Sequence, residues 1–219
     1  MQQFMRKTNY IVTEIFDSIE GEGKRAGQLV TFIRLAGCNL RCSYCDTGYA
    51  LEAKGNNMTA AEIADKVKYK RATITGGEPL TQELAALLIE LFKRSVEVNI
   101  ETNGSKDIRP YLNFPNVFFT IDFKCTSSGM SDKMLASNYL ALRPRDVIKF
   151  VVSNSNDILQ AEKYYELYKM AGKNVYLSPV FGAIKPATIV QVMQAHNLEG
   201  WRIQLQLHKF IWDPNKRGA

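Results

Sequence analysis

Three cysteines close together are the residues of this chain best suited to chemistry. Cys38, Cys42 and Cys45 have the spacing C-x3-C-x2-C, and Asp46 and Thr47 follow directly. Thiolates this close in a loop either bind a metal centre or remain reduced and idle. Three thiolates leave a four-coordinate centre one ligand short, so a 4Fe–4S cluster held by them would keep one iron open. The spacing therefore predicts that a small molecule binds the open iron and receives an electron there.

The fourth cysteine, Cys125, lies far along the chain from the other three. We expect it to be an incidental small residue, with a role as a further cluster ligand as the alternative. A zinc module that uses the three clustered cysteines with Cys125 or a histidine is a competing, non-enzymatic interpretation. Zinc sites usually pair two short ligand groups, and only one is present here. Four cysteines in 219 residues do not form a disulfide scaffold, which favours a reducing, cytoplasmic compartment.

The composition is that of an ordinary soluble globular protein. The 219 residues predict a single domain, residues 1–219, with a full core. No run of about 18 apolar residues is present, and residues 1–7 are not followed by the apolar part of a secretory signal, so no membrane association is expected. The net charge of +6 fits a solvated basic surface, or attraction of an anionic substrate or an acidic electron donor. No nucleic-acid-binding motif is evident, so no nucleic-acid partner is expected.

Predicted strands alternate with predicted helices along most of the chain. Runs of β-branched and aromatic residues predict strands at 10–16, 29–35, 72–75, 96–100, 117–121, 147–152, 174–177 and 202–205. Helices are predicted from a capping box at 59–62, along 84–92, around 158–168 and from Pro186. This alternation is typical of a parallel sheet, and the chain is short for eight βα units, so we predict an α/β fold with a partial, open parallel βα barrel. The polar tail 213–219 is expected to be disordered.

Short polar or glycine-rich clusters follow the predicted strands one after another. They are the cysteine loop at 38–45, TGGEP at 75–79, ETNG at 101–104, DFK at 122–124, SPV at 178–180 and QLHK at 206–209. The carboxyl ends of parallel strands meet at one edge of a sheet, so we expect these clusters to form one active face.

Charged residues interrupt two predicted strands and one loop. Arg34 is either paired in the core or a ligand for a substrate carboxylate. Lys149 is either a paired core residue or a lysine of the cofactor pocket. Gly21 and Gly23 flank Glu22, which suggests a tight loop with exposed N–H groups and a positioned carboxylate, although a plain turn has the same pattern.

Two sets of motifs carry a resemblance to known enzymes. CNLRCSYCDT at 38–47 followed by TGGEP resembles the radical SAM superfamily, whose members use S-adenosylmethionine (SAM). Together with FDSIEGEG at 16–23, FIRLAG at 32–37, ETNG and QLHK, these motifs resemble the 7-carboxy-7-deazaguanine synthases, over residues 14–209. The resemblance implies conversion of 6-carboxy-5,6,7,8-tetrahydropterin to 7-carboxy-7-deazaguanine with loss of ammonia, in queuosine and other 7-deazapurine biosynthesis. This radical ring contraction needs a 4Fe–4S cluster, SAM and Mg2+.

Matching the motifs residue by residue gives the roles that the resemblance implies. Cys38, Cys42 and Cys45 would ligate the cluster, and Thr47 would bind Mg2+. The cofactor-binding residues would be Gly77, Glu78, Asp122, Phe123, Lys124, Ser178, Pro179, Val180 and Phe181. The substrate-binding residues would be Ile19, Glu20, Gly21, Glu22, Arg34, Thr75, Gln206 and His208. Glu78 has the alternative role of fixing its own turn. A homodimer and a low-potential electron donor, such as a flavodoxin or ferredoxin, are the expected partners.

Two features depart from the family's pattern. Glu20 stands where many relatives have glutamine, so its hydrogen bonds are expected to differ. The chain continues past Lys209, where some relatives end and use the terminal carboxylate at the substrate, so Ala219 is not given that role. A glycyl-radical enzyme activating enzyme shares the cysteine spacing and the GGEP turn, and it is the nearest enzymatic alternative. Arg34 and the SIEGEG loop suit a small acidic substrate and therefore argue against it.

Overall fold

Nine strands form a single sheet in the computed structural model, which describes residues 9–218. They are β1 (Asn9–Ile19), β2 (Leu29–Leu35), β3 (Asn56–Thr59), β4 (Arg71–Gly76), β5 (Glu97–Thr102), β6 (Val117–Lys124), β7 (Val147–Val152), β8 (Asn174–Pro179) and β9 (Arg202–Ile203). The strand order is β3-β1-β2-β4-β5-β6-β7-β8-β9. The expectations about residues 1–7 and about Ala219 lie outside the described residues.

The pairing pattern confirms an open, mostly parallel sheet. Strands β2 and β4 to β9 pair in parallel, whereas β1 is antiparallel to both β2 and β3. The sheet begins at β3 and ends at β9, so these two strands are edges and the sheet does not close on itself. Since parallel strands end on the same side, the loops after β2 and β4 to β8 all reach one edge of the sheet.

The described residues form six helices, and those that lie between strands cover one face of the sheet. They are α1 (Ala60–Asp65), α2 (Ala85–Lys93), α3 (Ala136–Ala141), α4 (Ser155–Leu167), α5 (Pro186–Ala195) and α6 (His208–Ile211). The capping box is confirmed, since the Thr59 side chain accepts from the Glu62 amide while the Glu62 carboxylate accepts from the Thr59 amide. None of the helices in residues 9–218 is both long and apolar enough to cross a membrane.

The two faces of the sheet differ because side chains alternate along each strand. One set, which includes Ile74, Ile100 and Phe150, is fully buried in a single hydrophobic cluster with the helices. Burial of each such side chain contributes roughly 1.5–3 kcal/mol relative to exposure. The intervening positions carry polar groups such as Thr73 and Asn99, which are buried on the opposite face. The sheet therefore has an apolar outer face and a polar inner face.

Several elements differ from those predicted. Strand β3 was not predicted because Asn56 and Asn57 are poor strand formers, and it exists through its antiparallel pairing with β1. The last strand is shorter than predicted and ends at Ile203. Beyond it the chain turns toward the loop after β1, where the Leu207 amide donates to the Gly21 carbonyl at 3.0 Å.

Candidate active site

A cavity of about 580 Å³, here called the cleft, lies at the carboxyl ends of the parallel strands. Volumes of this order hold a small-molecule ligand. Most of the residues singled out in the sequence line it, and they come from the loop after β1, the ends of β2, β4, β6 and β8, the cysteine loop and the C-terminal part of the chain. These are Gly21, Glu22, Arg34, Cys38, Cys42, Cys45, Thr47, Thr75, Gly77, Asp122, Lys124, Ser178, Pro179, Val180, Phe181, Gln206 and His208.

The cysteine loop is fastened at both its base and its middle. At the base, the Gly37 amide donates to the Ala50 carbonyl at 2.9 Å, and the Cys38 amide donates to the Leu51 carbonyl at 3.1 Å. In the middle, the Ser43 amide donates to the Ser128 carbonyl at 3.1 Å. These bonds hold the three thiols on one wall of the cleft.

The donor set of this wall fits a 4Fe–4S cluster. Burial raises the pKa of the Cys38 and Cys42 thiols, and the neighbouring cysteines add to the increase. The irons of a bound cluster would bind the thiolate form and so offset this increase in pKa. Cys38 Sγ also accepts from the Leu40 amide at 3.4 Å and from Asn103 Nδ2 at 3.8 Å, contacts that tune the potential of such a centre.

Cys125 does not belong to this wall. It is fully buried after β6, on the helix-covered side, where its thiol lies 3.7 Å from the Asp157 carbonyl. Within residues 9–218, no group of three or more histidine, cysteine, aspartate or glutamate side chains is gathered as tightly as a single metal ion requires. This does not favour the zinc module, which needs all of its ligands on one ion.

Arg34 is paired with Glu14, and it also lies in the lining of the cleft. Its Nε donates to Glu14 Oε1 at 2.7 Å, and the Tyr49 hydroxyl donates to the same oxygen at 2.8 Å. The guanidinium lines the cleft. Within residues 9–218, its only hydrogen bond is the one that Nε donates to Glu14. Glu14 therefore orients the Arg34 side chain while its two terminal nitrogens stay available to a carboxylate.

A network of alternating charges crosses the inner face behind the cleft. Lys149 Nζ lies 2.8 Å from Glu22 Oε2 and 3.0 Å from Asp122 Oδ1. Lys124 Nζ lies 2.7 Å from Asp122 Oδ2, and the Ser178 hydroxyl donates to Glu22 Oε1 at 2.7 Å. Although burial alone would raise the pKa of Asp122, Lys124 and Lys149 lower it below its usual value. The sequence left Lys149 as either a paired core residue or a lysine of the cofactor pocket, and it was not assigned to the site. The only feature that pointed to it was a lysine inside an apolar strand.

Glu101 begins the ETNG cluster, which the sequence predicted to lie on the active face. Its side chain lines the cleft, and burial together with the nearby charge of Glu20 raises its pKa to about 7, although Lys149 opposes this. A carboxyl group with this pKa can hold or release a proton near neutral pH.

Thr47 places a hard oxygen in the cleft next to a carboxylate. Its hydroxyl donates to Asp46 Oδ1 at 2.9 Å, and the other Asp46 oxygen lies 3.3 Å from Lys209 Nζ. Mg2+ takes one or two protein oxygens and completes its shell with water and substrate. The Thr47 and Asp46 oxygens fit that requirement.

His208 packs against the glycine loop that follows β1. A Cβ at Gly21 would collide with the His208 ring, so only glycine allows the two segments this close. Burial lowers the pKa of His208, which favours a neutral imidazole with one donor and one acceptor nitrogen.

The position of Glu78 does not match its predicted role as a cofactor contact. The carboxylate is fully buried and is absent from the cleft lining. It accepts from the Leu80 amide at 3.0 Å, the Thr102 hydroxyl at 2.7 Å and the Asn103 amide at 2.6 Å. The alternative role is the one that the geometry supports: Glu78 ties the turn after β4 to the end of β5.

Three further predicted residues lie outside the cleft lining. Phe123 is fully buried on the outer face, with its ring centroid 5.1 Å from that of Phe150 and 4.5 Å from that of Tyr164, so its side chain does not reach a cofactor. Ile19 ends β1 opposite Leu29 and is likewise outside the lining.

Glu20 is the third, and it is buried in an ion pair. Its Oε2 lies 2.9 Å from Arg25 Nη2 and accepts from the Thr73 hydroxyl at 2.7 Å. Its Oε1 is buried without a hydrogen-bond partner among residues 9–218. Burial raises the pKa of Glu20, although Arg25 and Thr73 oppose the increase.

The comparisons with known proteins point to the same enzyme family as the residues of the cleft. The model of the radical SAM superfamily matches residues 32–182. A 7-carboxy-7-deazaguanine synthase of Clostridium acetobutylicum is 47% identical over 220 residues, which cover 96% of this chain and 100% of the relative. One of Chlorobaculum tepidum is 40% identical over 216 residues, which cover 95% of this chain and 96% of the relative.

Solved structures agree on the fold. The crystal structure of QueE from Escherichia coli has a TM-score of 0.70 at 24% identity, covering 90% of this chain and 94% of that one. The structure of Streptococcus suis SuiB bound to S-adenosylmethionine has a TM-score of 0.52 at 12% identity, covering 76% of this chain and 45% of that one.

Proposed function

This chain belongs to the radical SAM superfamily and, within it, to the 7-carboxy-7-deazaguanine synthases, and from that premise we propose how its cleft carries out the reaction. The reaction is the conversion of 6-carboxy-5,6,7,8-tetrahydropterin to 7-carboxy-7-deazaguanine with loss of ammonia, a carbon–nitrogen lyase step in 7-deazapurine and queuosine biosynthesis. The observation that carries the proposal is the oriented Arg34 guanidinium in the same cleft as three thiols.

Separate sets of residues bind the cluster, SAM, the pterin and Mg2+. Cys38, Cys42 and Cys45 hold the 4Fe–4S cluster, which with SAM supplies a low-potential electron and the radical derived from it. The SAM molecule is held by Gly77, Asp122, Lys124, Ser178, Pro179, Val180 and Phe181. The pterin is held by Gly21, Glu22, Arg34, Thr75, Gln206 and His208, and Thr47 binds Mg2+.

The inner face positions these groups before substrate arrives. Arg34 offers a planar fork to the substrate carboxylate because Glu14 already holds its Nε. Glu22 is held by Lys149 and Ser178, so its carboxylate keeps one orientation beside the pterin edge. The neutral His208 ring can accept or donate one hydrogen bond to the same substrate. Preorganised polar groups of this kind stabilise charge without reorganisation.

Anaerobic reconstitution tests the reaction directly. Purified protein is loaded with iron and sulfide, mixed with SAM, Mg2+, a chemical reductant and the carboxylated tetrahydropterin, and the products are identified by mass. The expected result is 7-carboxy-7-deazaguanine together with 5′-deoxyadenosine. A colourless protein without sulfide would instead support the zinc module. 5′-Deoxyadenosine formation that requires a protein partner and ignores the pterin would support a glycyl-radical activating enzyme.

Arg34→Ala and Arg34→Lys test the carboxylate contact. Loss of a buried, charge-assisted contact weakens binding by about 2–5 kcal/mol, so Arg34→Ala should lose most of its affinity for the pterin. The lysine variant keeps the charge without the fork and should recover only part of it. Tetrahydropterin without the carboxylate is the control ligand, since its binding should be nearly the same in all three proteins. Normal pterin saturation in Arg34→Ala with intact SAM binding would contradict the assignment.

We also propose an electron donor, an oligomeric state and a cellular compartment for this enzyme. A low-potential donor such as a flavodoxin or ferredoxin reduces the cluster, and a homodimer is the proposed assembly. Free, clustered thiols need a reducing environment, which supports the proposal of a cytoplasmic enzyme. Reduction by purified flavodoxin and a sedimentation measurement of mass test the first two proposals.

A further inference from the structure

A chain of contacts joins Arg34 to residues near the end of the protein. Glu14 Oε1 accepts from both Arg34 Nε and the Tyr49 hydroxyl, at 2.7 and 2.8 Å. The guanidinium carbon of Arg217 lies 3.9 Å from the centre of the Tyr49 ring. Each residue in this series thus contacts the next, from the cleft to the C-terminal segment, defined here as residues 212–218.

The C-terminal segment lies along the Arg34 side of the cleft. The Lys216 amide donates to the Asp213 carbonyl at 2.9 Å and the Asn215 amide donates to Asp213 Oδ1 at 2.8 Å, which form a turn. Pro214 and Asn215 line the cleft. This is the part of the chain that the sequence predicted to be disordered, and its position brings Arg217 onto Tyr49.

Two properties of these contacts restrict the orientation of Glu14, the partner of Arg34. A guanidinium over an aromatic face is attracted to it, so Arg217 restrains the Tyr49 ring. Burial raises the pKa of Tyr49 to about 12, so its hydroxyl keeps its proton and always donates to Glu14. A Glu14 carboxylate held from one side has fewer orientations in which to meet Arg34.

On the basis of the proposed function, we propose that Tyr49 and Arg217 are positioning residues for substrate specificity. They hold Glu14, and through it the Arg34 fork, in the orientation that receives the substrate carboxylate. The C-terminal segment would thereby act on carboxylate recognition without itself contacting the reacting atoms.

The test compares Arg217→Ala, Tyr49→Phe and the matched control Lys216→Ala in the fully reconstituted enzyme. Lys216 carries the same charge in the same segment, but its Nζ lies over the Trp212 ring, at 5.5 Å, and not over Tyr49. Arg217→Ala and Tyr49→Phe should raise the KM for the carboxylated pterin about tenfold, the equivalent of about 1.4 kcal/mol. The kcat, the KM for SAM and the iron content should stay within about twofold, and Lys216→Ala should match the unmutated enzyme. Arg217→Lys should recover most of the loss.

A double-mutant cycle shows whether the effect passes through Arg34. Dissociation constants for the carboxylated pterin and for tetrahydropterin are measured by equilibrium dialysis. Arg217→Ala should weaken only the carboxylated ligand, and it should add little in an Arg34→Ala background. Equal losses for both ligands, or fully additive losses, would overturn the positioning role. Unchanged binding in both Arg217→Ala and Tyr49→Phe would also overturn it while leaving the proposed function intact. Failure of the unmutated enzyme to bind the carboxylated pterin would overturn both.

Discussion

Replacing Glu78 with glutamine changes a buried group that three donors of the fold contact. Oε1 accepts from Thr102 and Leu80, and Oε2 accepts from the Asn103 amide. An amide has one accepting oxygen, so in either orientation its NH2 group faces a backbone N–H. One buried N–H then loses its partner, which costs about 1–3 kcal/mol.

The carboxyl group also makes this cost depend on pH. Burial raises the pKa of Glu78 from its ordinary value of 4.5 to about 7. In the unfolded chain the group ionises near 4.5, whereas in the folded protein it stays protonated until about pH 7. Stability therefore falls as pH rises through this interval, by at most about 3 kcal/mol at about 1.36 kcal/mol per pKa unit. Glutamine does not titrate, so Glu78→Gln should cost most near pH 5 and least near pH 8.

Thermal unfolding at pH 5, 6, 7 and 8 measures both effects. A loss of about 2 kcal/mol lowers the Tm of a protein of this size by about 4–8 °C. Glu199→Gln is the control, because Glu199 is exposed and its replacement should leave the Tm nearly unchanged at every pH. A Tm difference between Glu78→Gln and the unmutated protein that is constant, or that grows toward pH 8, would refute the raised pKa. No difference at any pH would refute the role of the three hydrogen bonds.

Three further predictions concern the cleft. Cys42→Ala should abolish 5′-deoxyadenosine formation while Cys125→Ala stays active; cleavage of SAM by the first variant, or loss of the cluster in the second, would contradict the three-thiolate site. Thr47→Ala should need at least about tenfold more Mg2+ for half-maximal turnover, with cluster and SAM binding unchanged, and an unaltered Mg2+ titration would make Thr47 structural. Because the pKa of Glu101 is raised to about 7, Glu101→Gln should gain Tm relative to the unmutated protein as pH rises from 5 to 8, and a parallel pH profile would exclude that shift.

The sequence predicted the strands most accurately where local preference and burial agree. Strands Leu29–Leu35 and Val147–Val152 have the predicted bounds, because they are nearly continuous runs of β-branched and large apolar residues. The order of the polar clusters then placed most of the site at the correct strand ends. Elements whose residues have weak preferences, such as β3, needed the pairing with β1 and were not predicted.

Phe123 shows how one strand boundary changes the assignment of a site. The predicted strand stopped at 121, so residues 122–124 were treated as a loop in which every side chain could reach a ligand. Strand β6 in fact continues to Lys124. Alternation along the strand then turns Asp122 and Lys124 to the inner face and Phe123 to the core. The two charged neighbours line the cleft for the same reason that Phe123 does not.

Glu78 shows a limit that no local pattern removes. It follows Gly77 in one short motif, yet Gly77 lines the cleft and Glu78 is buried beneath it. The difference depends on Thr102 and Asn103, which belong to the neighbouring strand and its loop. The C-terminal segment is a similar case, because its contact with Tyr49 joins residues far apart in a sequence without a helical or strand pattern.

The charges of the inner face are not equally available to a ligand, and this separates Arg34 from Lys149. Lys149 is balanced by Glu22 and Asp122, so a substrate anion would have to displace a carboxylate from a buried pair, which is costly. Arg34 is held at Nε alone by Glu14, and a planar guanidinium can keep that bond while its two terminal nitrogens bind a second carboxylate. Anion recognition in the cleft is therefore expected at the Arg34 end, the end along which the C-terminal segment lies.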